Sequence, residues 1–398
     1  MATTSDQAGP PFVCFAAVDW WYHNRAHSEL QLMQRVARER TVLLVNSIGM
    51  RMPLPGRSTK AWSRIVRKLK SMAKLVRRPV ADLPGFHVMT PLILPFYSLR
   101  WARALNARMV RAQVRLVSRF LRIEDPVLVV TIPTAWEVVR PMRRRALVFN
   151  RVDKHSTFAE TDQDYIRALE EALLRHADRV LYVSHALMEE ELPLAGDRAV
   201  FLDHGVDLDH FRPRPPEEEP DDLRLVPHPR IGFFGGLDDY VIDFGLLERL
   251  AREIPEAQVV LVGDATCSMD RLESLPNVRW LGYRGYEEIP RYGSGFDVAI
   301  LPRLDDEWSR YTNPIKLKEY LALGLPVVTT AIPEVERHGR WVRIACGPDD
   351  FVAQVRAALA GGGPGTMTPE ERREAVLGDS WDRRAEELLG HCDRAGDR

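Results

Sequence analysis

No apolar run in this sequence reaches the ~18 residues needed to cross a bilayer, so a membrane-spanning chain is not expected. Residues 1–11 are polar and lack the apolar centre of a secretory leader. Cysteine is scarce too. Cys14, Cys267, Cys346 and Cys392 stand far apart, without the spacing of a metal site or the density of a disulfide framework. These absences point to a reduced, cytoplasmic compartment. The front of the chain is short of acid: residues 1–150 hold 25 Lys and Arg against 8 Asp and Glu, a balance of +17. The remainder holds 30 of the 55 basic residues against 48 of the 56 acidic ones, a balance of −18, so the net charge of −1 hides a division. A basic front half suits an anionic partner: a membrane surface, a phosphorylated acceptor or nucleic acid. No zinc finger, recognition-helix pattern or aromatic RNA platform accompanies the charge, which argues against nucleic acid.

What is present is strand–helix alternation through both halves, the pattern of an α/β protein, and 398 residues favour two domains with separate cores. Apolar runs predict strands at 12–18, 41–46, 86–92, 126–132, 146–152, 178–184 and 198–202, then at 230–234, 257–263, 277–282, 296–302, 327–330 and 341–345. Helices are expected at 27–39, 100–122, 163–177, 244–254, 286–292, 349–360 and 380–389. The expected domains are 1–212 and 230–372, joined by a Pro-, Glu- and Asp-rich linker at 213–229 and followed by a helical segment at 373–398. The loop after the first strand lacks G-x-G-x-x-G, which argues against a dinucleotide there. Arg57–Arg78 contains many bases and no acid, with Trp62, Ile65, Val66, Leu69, Met72, Ala73 and Val76 at helical spacing. That is the form of an in-plane membrane binder and makes an anionic membrane surface an expected partner. An ordinary surface helix packing its stripe on the core is the structural alternative.

The stretch from Asn313 to Thr330 reads as loop, short helix, tight turn and buried strand. Pro314 suits a first helical turn, Gly324 a left-handed helix end, and Pro326 prevents continuation before the β-branched Val327-Val328. Lys316 and Glu319 are three residues apart on one helix face. Lys316 and the helix start over Asn313, Pro314 and Ile315, whose exposed N–H groups come from the residues other than proline, suit the phosphates of a nucleotide diphosphate, and Glu319 suits its ribose hydroxyls. The structural alternative is a solvated ion pair worth ~0.3–0.5 kcal/mol.

This stretch resembles the donor-site motif of GT-B glycosyltransferases of the bacterial surface-polysaccharide, or glycosyl transferases group 1, type. Pro-x-Lys-x-x-Glu-Tyr-x-Ala-x-Gly-x-Pro-Val-Val is filled at every position from Pro314 to Val328. The resemblance implies two Rossmann-like domains with an interdomain cleft and a Trp-bearing C-terminal helix that returns to the first domain. It implies transfer of a sugar from a nucleotide-sugar donor, UDP-sugar favoured, to an acceptor hydroxyl in polysaccharide biosynthesis. It implies donor contacts at Gly235 and Gly236, at Tyr283 near the base, and at Glu319 on the ribose. Gly236 stands where many relatives carry arginine, and Arg310 is the candidate replacement. Tyr311 stands where many carry a second glutamate, which leaves retention or inversion open. Asp19, Trp20, His23 and Arg25 resemble the acceptor-side loop, and Val152-Asp153 with Ser156 and Phe158 resembles the loop of a later strand. His204 to Phe211 matches the crossover stretch, with His204 in place of asparagine.

No carboxylate cluster suggests a metal, no cofactor is expected, and Asp207-x-Asp209 reads as turn chemistry. Departure of the nucleotide diphosphate would be stabilised by the helix N-terminus, Lys316 and Arg310. An inverting enzyme needs a general base, for which Asp153 leads and His27, Asp19, His23 and Glu29 follow. The structural alternatives are a loop cap for Asp153, a helix-start residue for His23 and a surface histidine for His27. In a retaining enzyme the donor phosphate takes the acceptor proton. The expected acceptor is a lipid-linked or otherwise anionic glycan, handled by a cytoplasmic protein peripheral to the inner membrane face. Three alternatives stay open: a natural-product glycosyltransferase with a soluble acceptor, a nucleotide-sugar epimerase of the same fold, and an inactive GT-B-like binding protein.

Overall fold

Short runs of Val, Leu and Phe become the strands of two largely parallel sheets in the computed structural model, which describes residues 9–22, 27–49, 70–72, 74–94, 96, 99–158, 162–361 and 367–395. The chain divides into two units, Met1–Asp203 with Trp381–Arg398, and His204–Ser380.

The first unit holds β1 (Phe12–Phe15), β2 (Val42–Val45), β3 (Val76–Arg77), β4 (Phe86–Met89), β5 (Val127–Val130), β6 (Ala146–Arg151), β7 (Arg179–Tyr182) and β8 (Ala199–Phe201). Their order is β3-β4-β2-β1-β5-β6-β7-β8, parallel except for β3 against β4. Every residue of β1, β2, β5 and β6 is buried, as a sheet covered on both faces requires. The connecting helices are α1 (Ser28–Val36), α2 (Arg100–Phe120), α3 (Gln163–His176) and α4 (His185–Ala195). From β1 the chain builds outward on one side through β2 and β4, then returns to build β5 to β8 on the other. The crevice at such a reversal, at the C-terminal strand ends, is where open α/β sheets bind ligands.

Two local expectations change. Of Arg57–Arg78, residues 57–69 and 73 lie outside the described residues, Lys70–Met72 is helical, and Val76 and Arg77 pair as strand with Met89 and Val88. The helix cannot run to residue 78 because Leu75 has φ of 48° and its carbonyl accepts from Thr90 N. α4 was not expected, because Pro193 interrupts its pattern. Ser184 marks its start, its Oγ accepting from Leu187 N at 3.3 Å.

The second unit holds β9 (Arg230–Phe234), β10 (Gln258–Val262), β11 (Val278–Gly282), β12 (Val298–Leu301), β13 (Val327–Thr330) and β14 (Arg343–Ala345). The order is β11-β10-β9-β12-β13-β14, all parallel, so this sheet reverses at β9 and β12. Its main helices are α5 (Phe244–Glu253), α6 (Ile315–Ala322) and α7 (Pro348–Leu359). The acidic segment before β9 forms a helical turn, Asp221–Arg224, with Leu223 buried. Buried Arg230 pairs with Glu219 and donates from Nε to Val226 O at 2.7 Å.

The last helix, α8 (Trp381–Ala395), belongs to the first unit and packs on α1, β6 and β7. Arg38 pairs with Asp382, and Arg40 with Asp393 at 3.6 Å. This is the returning helix that the resemblance implied.

At the end of β6 the fully buried Arg151 pairs with Glu170 at 2.5 Å and Glu191 at 2.7 Å. Its Nη1 also donates to Asp153 O at 2.6 Å, so one guanidinium anchors two helices and a loop. Arg151→Met would strand two carboxylates in the core. We expect a loss of about 3–5 kcal/mol in urea unfolding at pH 7, shrinking towards pH 5 as the carboxylates take up protons.

Candidate functional site

The donor-motif residues gather at the reversal of the second sheet, where β9 and β12 end side by side. β9 runs into Gly235, whose N donates to Val262 O at 2.8 Å and whose φ is 137°. A Cβ at Gly235 would stand 1.9 Å from Lys316 Cε, so only glycine lets this lysine lie over the strand end. α6 is seated by Tyr320, whose buried Oη accepts from Phe234 N at 3.1 Å and whose ring meets that of Phe234 at 4.5 Å. Pro314 is the N-cap of α6 and not a first-turn residue, with ψ of 108°, while Gly324 ends the helix at φ of 77° as expected.

Lys316 and Glu319 therefore stand in the first turns of α6 against the sheet edge. Glu319 is 5% exposed and Lys316 half-buried. Among the described residues neither side chain makes a hydrogen bond within the protein. The contrast with Lys318 is direct: its Nζ meets Asp379 at 3.0 Å and donates to His204 O at 2.8 Å. Burial pushes the Glu319 carboxyl up to about 7, opposed only by the Lys316 charge. Burial also lowers the Lys316 ammonium, against the pull of Glu319, and Arg303 and Asp238 act on it as well. A half-buried cation and a buried carboxylate thus stand three residues apart on one helix face with no hydrogen bond among the described residues, an arrangement that a ligand would complete.

Arg303 was missed by sequence reasoning. It follows β12, its Nη2 donates to Thr312 Oγ1 at 3.2 Å, and its guanidinium lies 5.0 Å from the Trp308 ring centroid. Its charge reaches Lys316. Arg310 is exposed in the one-turn helix Glu307–Arg310. Gly236 is exposed beside Asp238, which Thr266 Oγ1 holds at 2.7 Å. Tyr283 follows β11 and is 59% exposed, a free aromatic face at the same sheet edge. Asn313 and Ile315 are half-buried at the entrance to α6.

The remaining candidates belong to the first unit. Asp153 follows β6, half-buried, in a loop pinned by Arg151. His155, two residues on, is buried and pushed down to about 4 by burial, so it is neutral at pH 7. Asp19 follows β1 and is engaged within the protein: Ser71 Oγ donates to its Oδ2 at 2.6 Å and Trp21 N to its Oδ1 at 3.1 Å. Trp20 is buried, its ring 5.0 Å from Phe86. His27 is the N-cap of α1, and burial raises the carboxyl of Glu29 in the same first turn. His23 and Arg25 lie outside the described residues. Asp207 accepts from His210 N at 3.1 Å, the turn chemistry expected of it.

Residues 228–361 match the family described as Glycosyl transferases group 1. A 242-residue stretch is 27% identical to the Bacillus subtilis protein TuaH, named for teichuronic acid biosynthesis as a glycosyltransferase; it covers 57% of this chain and 60% of that relative's length. The structure is similar to sucrose-phosphate synthase from Thermosynechococcus elongatus, with a TM-score of 0.69 and 16% identity over 97% of this chain and 99% of that one. It is also similar to Anabaena HepE in complex with UDP and glucose, with a TM-score of 0.66 and 14% identity over 97% and 100% of the two chains. This likeness along the whole chain shows the GT-B fold, two Rossmann-like α/β domains.

The raised Glu319 sets a sign for pH dependence. A carboxyl that holds its proton more tightly folded than unfolded costs stability as pH rises from 4.5 towards 7, and the cost is complete above 7. Glu319→Gln is therefore expected to stabilise the unliganded protein at pH 8, by about 1–3 kcal/mol, and to do little at pH 4.5. Paired thermal melts at the two pH values check this; equal shifts at both would refute the buried-charge account.

Proposed function

We propose that the chain is a glycosyltransferase that moves a sugar from a nucleoside diphosphate to an acceptor hydroxyl, a reading supported by the match of residues 228–361 to Glycosyl transferases group 1 and by the GT-B fold. The observation that carries this reading is the half-buried Lys316 and buried Glu319 at the sheet reversal, neither hydrogen-bonded among the described residues. The diphosphate lies on the N-terminus of α6, with Lys316 and Arg303 as its cations. The ribose hydroxyls donate to Glu319, and Tyr283 stacks on the base. UDP is favoured, in keeping with the UDP that Anabaena HepE binds.

In the reaction the bond from the sugar's anomeric carbon to the diphosphate oxygen breaks and a bond to the acceptor oxygen forms. Negative charge grows on the departing diphosphate, where the two cations and the helix N-terminus meet it. These groups supply the stabilisation that a metal gives elsewhere, so we propose a metal-independent reaction. The acceptor proton passes to Asp153, or alternatively to His27, if the enzyme inverts, and to a donor phosphate oxygen if it retains. The basic front half supports a lipid-linked or otherwise anionic acceptor, and the name of the Bacillus relative supports a role in glycan biosynthesis.

Thermal unfolding with UDP, GDP and dTDP tests the donor site. A diphosphate at 100 times its dissociation constant is expected to add about 2.7 kcal/mol, with UDP binding tightest. Lys316→Ala and Arg303→Ala should each weaken binding about 10–100-fold, as lost charged hydrogen bonds do, while exposed Arg310→Ala leaves it within a factor of two or so. No shift with any diphosphate, or loss only in Arg310→Ala, would refute the assignment. Sugar transfer measured with and without a glycan acceptor then separates a transferase from an epimerase.

A further inference from the structure

Helix α2 carries an unusual outer face. Across Arg100–Phe120 the sequence contains no acidic residue. Arg100, Arg108, Arg115 and Arg119 are all exposed. Among them stand large apolar side chains that a solvated helix would not display: Trp101 is 60% exposed, Leu116 57% and Phe120 79%. The helix also has a proper inner face, with Ala102, Asn106, Ala107, Val110 and Val114 buried, so the exposed residues are not a core stripe out of register.

The neighbouring chain extends the same surface. Gln113 Nε2 donates to Leu92 O at 2.9 Å and Leu92 N donates to Gln113 Oε1 at 2.8 Å, and Asn106 makes the same paired contact with Leu94. These amide pairs lay residues 92–94 along the flank of α2 and leave Leu92 42% exposed. Leu99, just before the helix, is 44% exposed. Among the described residues the outer-face arginines have no carboxylate partner: Arg103 pairs with Asp162 at 3.9 Å, whereas Arg115 reaches the Pro141 carbonyl at 3.5 Å. Burial first, and then the positive charges of Arg115, Arg108 and Arg140, lower the pKa of the Arg111 guanidinium.

We propose that the outer face of α2 is a docking surface for an anionic lipid bilayer, with the helix lying in the plane of the membrane. Bulky apolar residues interleaved with arginines on one helix face, with no acid, fit the boundary where acyl chains meet negative headgroups. A nucleic acid would match the charge but not three exposed large apolar side chains on one face. A protein partner would not require the complete exclusion of acid. The assignment does not depend on the donor site, and its test involves no sugar transfer.

The experiment is co-sedimentation of the full chain with vesicles of phosphatidylcholine alone and of phosphatidylcholine with phosphatidylglycerol. Binding is expected to the anionic vesicles only, and to fall with added salt. Arg108→Gln, Arg115→Gln and Arg119→Gln should each weaken it about fivefold. Trp101→Ser with Phe120→Ser should abolish it, with UDP binding and the melting temperature unchanged because all five side chains are exposed. Hydrogen exchange should show new protection over 100–120 on vesicle addition. Absence of binding to anionic vesicles at low salt, binding that survives these variants, or protection confined to other segments would overturn the proposal. So would a dimer in solution that the same variants dissolve, since the face would then be covered by a second copy.

Discussion

The hydrogen bond from Phe234 N to Tyr320 Oη fixes the geometry on which the candidate site depends. It ties the second turn of α6 to the last residue of β9, one residue before Gly235 turns out of the sheet. With the helix held there, Lys316 has one place to lie, over a backbone that carries no Cβ. Glu319, one residue before Tyr320, is carried inward by the same contact. The motif is thus a mechanical unit: the tyrosine seats, the glycine yields, and the lysine and glutamate are presented. Its second half, Gly324 through Val328, ends the helix with a left-handed residue and returns the chain to the sheet as β13.

Elsewhere the protein treats buried charge differently. Arg151, Arg230 and Lys318 are at least as buried as Glu319, and each is answered by carboxylates or carbonyls within hydrogen-bonding distance. A chain able to satisfy those groups leaves Lys316 and Glu319 to one another. At the C-terminal edge of a reversed parallel sheet, a carboxylate and a lysine that make no hydrogen bond among the described residues are well placed to meet a ligand. The half-neutral glutamate then has a chemical consequence. On the proposed function, ribose hydroxyls donating to Glu319 would favour its ionised form and so link nucleotide binding to proton release.

Much of this was legible in the sequence because the information is local. Buried parallel strands read as continuous apolar runs, and their centres fall where expected, as in β5, β9 and β10. The clamp residues lie within one short stretch whose turn chemistry is explicit. Arg303 was not legible. It lies thirteen residues before Lys316, and only the order β9-β12 brings it to the same edge; apolar runs do not state strand order. Arg310, the candidate replacement for the arginine missing at Gly236, is exposed in a helical turn of its own, Glu307–Arg310. Asp19 and Trp20 show the opposite failure. A polar and aromatic loop after a strand suggests a ligand, yet the three-dimensional partners, Ser71, Phe86 and the amide of Trp21, come largely from distant segments.

The two surfaces singled out here break opposite rules. At α6 charge is buried without satisfaction; on α2 large apolar groups are exposed beside unanswered arginines. Neither is needed to hold its own helix in place, since Tyr320 seats the one and the Ala102 to Val114 face seats the other. Sequences that fold well are consistent across levels, so paired violations of this kind locate where selection has acted on something other than folding. The division of charge along the chain follows from the same reasoning. Some of the basic residues of the front half face outward from one helix, and part of the acid in the back half is engaged in pairs such as Arg249 with Glu253 and Arg284 with Asp222.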